Sequence, residues 1–292
     1  MAYLPLMPHR IAEGMLRYRR RFDPNAAPLG RLGNLEVRLA RSSEEVKQAQ
    51  RLRYRVFYEE MSAIANVRAL VSGRDRDPFD RFCDHMLVLD HATDDGFGAP
   101  QIIGTYRLLR QEVAEKKRGF YSAGEFEVDS LIARHRARNF LELGRSCVLK
   151  PYRTKRTVEL LWGGIWGYVN RHGTDVMIGC ASLEGTDVER VAPLLTFLRQ
   201  VAPTPEEWRV RALPSRGVPI DRLDVKPVAE STALRALPPL LKGYLRLGAY
   251  VCEDAVIDYQ FGTTDVFLVL PHERINARYI NFYGADASRH AA

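Results

Sequence analysis

The sequence predicts one mixed α/β domain, with a central mixed, twisted sheet flanked by helices. Two observations carry that expectation. Residues 140–149, 157–170 and 176–181 read as strand, helix and strand joined by short polar segments, the order of a βαβ unit. Residues 85–90 and 102–109 are two apolar runs on either side of an Asp- and Gly-rich turn, which reads as a hairpin with a long loop. The chain has 292 residues and is 46% hydrophobic, enough to bury a sizeable core. No internal repeat and no low-complexity tract is visible.

The elements follow in order. At the N-terminus Ile11, Met15 and Tyr18 recur at helical spacing, with Arg17, Arg19, Arg20 and Arg21 beside them. This basic stretch is either a solvated arm or a contact for an anionic membrane surface. Asp23-Pro24 and residues 28–33 form a linker, so residues 1–34 are an arm and residues 35–292 the domain. Leu35, Val37 and Leu39 alternate with polar residues as in a strand. Ser42 or Ser43 caps a helix that carries Glu45 near its start and runs on through Leu52, Val56 and Phe57. An Asp-rich polar loop, residues 72–81, leads to the hairpin. After the βαβ unit, residues 191–200 read as a helix and residues 209–213 as a strand between Pro-rich flanks. Residues 238–251 are apolar, with Lys242 and Arg246 a turn apart, and suit a core helix or a membrane contact. Residues 266–270 are a last buried strand.

Composition narrows the function classes. No uncharged apolar run is long enough to span a membrane, and the first residues lack the order of a signal peptide. The expected location is the cytoplasm, with reversible contact at the inner membrane. The net charge of +7 attracts acidic partners. Among these, nucleic acid fits least, because neither an RNA-binding signature nor a helix-turn-helix pattern is present. Cys83, Cys147, Cys180 and Cys252 form no CxxC pair and read as reduced, mostly buried thiols, so no metal site is expected.

Two neighbouring segments can carry chemistry. Lys150, Arg153, Lys155 and Arg156 lie in a loop between a strand and a helix start. The unpaired N–H groups and partial positive charge there suit a phosphate; a solvated basic turn would look the same. The preceding strand carries Glu142, either a base or amine binder or a buried acid paired with an Arg. Alternation puts Glu142 and Gly144 on one face and Leu143 and Arg145 on the other, unless a bulge intervenes. Cys147 has no His in a telling position beside it and is a poor candidate for an acyl-enzyme nucleophile. Trp162 and Trp166, one turn apart, suit packing.

Residues 141–170 resemble motif A of the GNAT superfamily, whose loop reads Gln/Arg-x-x-Gly-x-Gly/Ala and binds a pyrophosphate. Arg153 matches the first position, while Arg156 and Val158 stand where the small residues should be. That departure points away from ordinary acetyl-coenzyme A binding. Arg53-x-x-x-Phe57, Asp77-x-x-Asp80, Gly104-x-x-Arg107-Leu108 and Glu142-x-x-Arg145 resemble, in order and spacing, the acyl-homoserine-lactone synthases. The fullest resemblance is to the ornithine N-acyltransferase family of hemolysin-like GNAT proteins, through Glu142–Val148, Leu161–Ile165 and Lys242–Ala249. It implies a GNAT fold and transfer of a 3-hydroxyacyl group from acyl carrier protein to the α-amine of L-ornithine, with no cofactor of its own. It also implies roles. Glu142 is base or amine anchor, and N–H groups near Cys147 and Val148 hold the oxyanion. Lys150, Arg153, Lys155 and Arg156 grip the phosphopantetheine. Asp77 and Asp80 receive the cationic end of ornithine, and Arg107 or Arg145 its carboxylate; a charged network that only shapes the cleft is the alternative. An autoinducer synthase or other amine acyltransferase, and a non-catalytic lipid-binding protein, are the rival functions.

Overall fold

The computed structural model describes residues 22–96, 98–218, 225 and 228–275. The basic arm at residues 9–21 lies outside them. The first strands are β1 (Gly30–Leu32) and β2 (Leu35–Leu39), so the sheet already takes in part of the segment read as linker. Helix α1 (Ser43–Tyr54) starts where Ser42 accepts the N–H of Glu45, and continues as a wider π turn, Arg55–Glu60. Next come α2 (Val67–Ser72), a 3-10 turn (Pro78–Arg81), β3 (Asp84–Asp94), β4 (Pro100–Arg110), α3 (Gln111–Ala114) and α4 (Val128–Arg134). The βαβ unit is β5 (Phe140–Val148), α5 (Lys155–His172) and β6 (Val176–Glu184). Then follow α6 (Val188–Val201), β7 (Gly217–Val218), α7 (Glu230–Ala236), α8 (Pro239–Leu247), β8 (Tyr250–Asp258) and β9 (Thr263–Pro271).

The nine strands form one sheet in the order β1-β2-β3-β4-β5-β6-β9-β8-β7. Its pairings are antiparallel except β5 with β6, the parallel pair that the βαβ pattern predicts. Alternation sorts the sheet into two faces. One face, with Val37, Met86, Tyr106 and Leu143, packs on α5 and α8. Gly164 of α5 sits so close that an added Cβ would lie 2.8 Å from Val37 and 2.9 Å from Met86. Tyr106 meets Tyr244 of α8 through a 3.0 Å hydroxyl contact. The other face carries Arg107, Glu142 and Phe267. Phe126, Val128 and Leu131 cover its apolar part, packing in one cluster with Phe140 and Phe267 of the sheet.

Two expectations change. Residues 209–213 are not a strand of the sheet. Trp208, Val210 and Ala212 are buried in alternation, which mimics a strand, but the segment makes one isolated bridge, Phe126 to Ala212. Pro203, Pro205 and Pro214 around it withhold the N–H groups that a ladder needs. The apolar run at 238–251 divides at Gly248, whose φ of 94° ends α8 and lets β8 begin. Leu241, Tyr244 and Leu247 are buried, so α8 is a core helix.

Candidate active site

Strands β5 and β6 pair only from Phe140–Glu142 against Val176–Ile178. The ladder ends there, and past the close approach of Gly179 to Leu143 a cavity of about 360 Å³ opens between the two strands. On its other edge β5 stays with β4, but with an extra residue. Gly144 faces Arg107 and Cys147 faces Thr105, so β5 bulges between them. Arg145 takes φ 51° at this bulge, a left-handed conformation that costs a non-glycine residue about 1 kcal/mol or more. The bulge brings Arg145 to the face of Glu142, against simple alternation. Its guanidinium lies 5.0 Å from the ring of Tyr121 and 4.7 Å from that of Phe261.

The bulge also orients the main chain. Leu149 donates its N–H to Ile103 at 2.9 Å. In an antiparallel ladder the preceding residue is then the non-hydrogen-bonded position, so the N–H and C=O of Val148 turn from β4 toward the gap. Arg153 Nε donates to that carbonyl at 3.0 Å.

Glu142 is buried at the floor of the cavity. It accepts the N–H of Tyr121 at 2.7 Å, the N–H of Ser122 at 2.8 Å and the Ser122 hydroxyl. Burial raises its pKa, and these donors only partly offset that. Its direct hydrogen-bond partners are therefore a loop, where the alternative reading foresaw an Arg.

Arg53, Asp77, Asp80, Arg107 and Arg145 come together, as their shared motif spacing suggested, and Asp75 joins them. Arg53 is fully buried and reaches Asp75 at 2.8 Å and Asp80 at 2.7 Å. Arg107 bonds Asp77 and stands 3.4 Å from Asp80. Arg145 stands 3.5 Å from Asp75 and 3.4 Å from Asp77. Burial works against ionised Asp80, but Arg53 outweighs it and lowers the pKa. Asp77 and Asp80 also close the cap of the 3-10 turn reciprocally. Arg107 and Arg145 line the cavity, as do Phe57, Glu142, Val148 and Arg153; Arg53, Asp77, Asp80, Lys150, Lys155 and Arg156 are not among its lining residues. Arg153, placed in the phosphate group by sequence, holds Glu60 in a two-pronged pair. Lys150, Lys155 and Arg156 are exposed around the start of α5, with Lys155 3.5 Å from Glu159.

Sequence reasoning missed the far wall. Asp258 and Asp265 line the cavity beside Ser182 and Thr263. Asp265 lies at the start of the buried strand and accepts the Thr263 hydroxyl at 2.9 Å. Burial raises its pKa, with Asp258 adding to the effect and Arg145 opposing it. A carboxylate next to the apolar run 266–270 was the available signal. The wall on the α5 side is apolar: Tyr106, Leu143, Ala181, Leu240 and Leu241. Cys147 also lines the cavity, but burial pushes its thiol up, which removes the thiolate a nucleophile needs.

A family model for the acetyltransferase (GNAT) domain matches residues 52–163, the stretch from Arg53 through the start of α5. The L-ornithine N(alpha)-acyltransferase of Rhizobium meliloti (strain 1021) is 52% identical over 91% of this chain and 90% of its own. The chain belongs to that acyltransferase family. The protein of the same name from Brucella abortus (strain 2308) is 51% identical over 91% of this chain and 94% of its own. That from Rhodobacter capsulatus is 35% identical over 88% and 96%. Among solved structures, the acyl-homoserine-lactone synthase LasI covers 83% of this chain and 95% of its own at 11% identity and a TM-score of 0.42, a likeness too distant to carry an inference. Family membership makes the protein an acyltransferase with a GNAT fold, and sets aside the reading as a non-catalytic lipid-binding protein.

Proposed function

We propose that the protein transfers a 3-hydroxyacyl group from acyl carrier protein to the α-amine of L-ornithine, giving lyso-ornithine lipid. The observation that carries this reading is the split character of the cavity. Its wall on one face of the sheet is apolar, and its wall on the other holds two arginines and three acids. An acyl chain suits the first wall and a zwitterionic diamino acid the second.

The proposed chemistry follows from that layout. Arg107 and Arg145 face the carboxylate of ornithine. Asp258 and Asp265 face its δ-ammonium, a role that sequence reasoning gave to Asp77 and Asp80; those two do not line the cavity. Glu142, with its raised pKa, takes the proton from the α-ammonium directly or through water. The free amine attacks the thioester carbonyl, and the Val148 N–H at the gap stabilises the oxyanion. The tetrahedral intermediate breaks its C–S bond and expels the thiolate of phosphopantetheine, and the second proton that the amine nitrogen sheds as the amide forms passes to that thiolate, which leaves as the thiol. Exposed Lys150, Lys155 and Arg156 around the start of α5 attract the acidic carrier and its phosphate.

The test is product analysis by mass spectrometry with the purified chain, L-ornithine and one acyl group presented on acyl carrier protein or on coenzyme A. The expected result is N-acylornithine, formed faster from the carrier. Glu142→Gln should lower kcat by about 10²–10⁴-fold. Equal rates with coenzyme A would overturn the donor assignment, and absence of acylornithine the acceptor assignment.

A further inference from the structure

Six large apolar side chains stand in solvent beside the cavity: Met61, Ile64, Val67, Leu70, Val71 and Tyr259, between 51% (Met61) and 84% (Val71) exposed. Val67, Leu70 and Val71 recur at helical spacing, so they share the outer face of α2, while Ala69 faces inward and Ile64 is exposed in the extended segment just before the helix. The segment is fastened to the domain. Ile64 donates its N–H to Gln260 at 2.7 Å, in the β8–β9 turn that carries Tyr259. Phe57 and Phe261 meet edge to face at 5.7 Å just behind it. Met61, Phe57 and Phe261 also line the cavity, so the exposed patch is continuous with its mouth.

An exposed apolar patch of this kind marks an interaction surface, and its surroundings indicate the partner. Within residues 55–76 the cations are Arg55, Arg68, Arg74 and Arg76. Of the acids there, Glu60 is held by Arg153 and Asp75 by Arg53, which leaves Glu59 against four arginines. Exposed apolar side chains in an arginine-rich segment, with an amphipathic tyrosine in the adjoining turn, match the boundary between anionic headgroups and acyl chains. We infer that this face of α2 docks the protein on an anionic bilayer, so that the acylated product leaves the cavity past Met61 into lipid. The release step rests on the acylation reading above; the docking step does not.

The experiment is sedimentation of the full chain with vesicles of phosphatidylglycerol and phosphatidylcholine, and with vesicles of phosphatidylcholine alone. The variant replaces Val67, Leu70 and Val71 with Ser. All three are solvent-exposed and none lines the cavity, and an unchanged thermal midpoint verifies its fold. Wild type should pellet with the anionic vesicles, and the variant should partition about tenfold more weakly. Equal partitioning of the two, or a wild type that stays in the supernatant, overturns the inference. So does a concentration-dependent dimer that the substitutions dissolve without any vesicle binding, which would assign the patch to a second copy of the chain. Loss of docking in the variant, beside a wild type that makes no acylornithine, would uphold the docking surface and refute the reaction instead.

Discussion

Burial sets the protonation of the acids near the cavity, and the sign of each shift fixes the effect of pH. Glu125 is pushed up to about 7 by burial first and by Asp265 second, from 4.5. A carboxyl with a raised folded pKa keeps its proton where the unfolded chain has lost it. The stability it contributes is therefore complete below about 4.5 and lost as pH rises through about 7. The shift corresponds to about 3 kcal/mol at most, and the salt bridge to half-exposed Arg216 at 3.0 Å belongs to the ionised form. Glu125→Gln should flatten this dependence. Chemical denaturation of wild type and variant from about pH 5 to about pH 8.5 checks it, and parallel curves would sink the idea. Asp265 bears on specificity. Asp265→Asn should lower kcat/KM for L-ornithine by about 10–100-fold, the loss of one charge-assisted contact, and leave L-norvaline, which lacks the δ-amine, unchanged. An equal loss for both acceptors would show a structural role. At this scale Arg107, Glu142, Arg145 and Val148 were legible, because they lie in motif runs on two adjacent strands. Asp258 and Asp265 were not. They reach the cavity only because β9 inserts between β6 and β8, and strand order is not written in local pattern.

The gap between β5 and β6 depends on backbone that admits no side chain. A Cβ on Gly179 would lie 2.3 Å from the Leu143 carbonyl oxygen, so β6 approaches β5 closely just beyond their last ladder pair. Gly179→Ala must push β6 away or twist it. It should destabilise the protein by about 3 kcal/mol, at the upper end of overpacking, and depress acylation beyond the loss of folded protein. Gly164→Ala, against Val37 and Met86, should cost about 1–3 kcal/mol while kcat of the folded fraction holds. Gly163, one residue earlier in α5, has nothing within 4 Å of an added Cβ. Gly163→Ala should therefore stabilise by about 0.5–1 kcal/mol. Thermal melts of the three variants give the order, and a destabilised Gly163→Ala would show that the local geometry is misread. The elements themselves were largely readable: the hairpin, the βαβ unit and α1 carry clear periodicity and caps. The bulge at Arg145 was foreseen only as an exception to alternation. Residues 209–213 show the limit of pattern, since alternate burial without a partner strand leaves an extended cover over the core.

At the scale of the whole molecule, charge is unevenly used. The arginines of the network, Arg53, Arg107 and Arg145, are consumed by Asp75, Asp77 and Asp80, and little of their charge reaches a distant partner. The net charge of +7 is felt instead through exposed cations. Lys150, Lys155 and Arg156 stand together at the start of α5, where the helix dipole adds to their field. An acidic carrier protein approaching the cavity from that side would be steered by them, and salt would screen the attraction, because the Debye length falls to about 10 Å at 0.1 M. Lys155 and Arg156 do not line the cavity, so their removal should spare the chemical step. The double change Lys155→Ala with Arg156→Ala should raise KM for the acyl carrier about 3–10-fold at low salt with kcat unchanged, and the two enzymes should converge near 0.5 M salt. A KM that stays equal at low salt would place the carrier elsewhere on the molecule. A KM difference that persists at high salt would instead indicate direct contact with the phosphopantetheine, the role the basic loop had in the sequence.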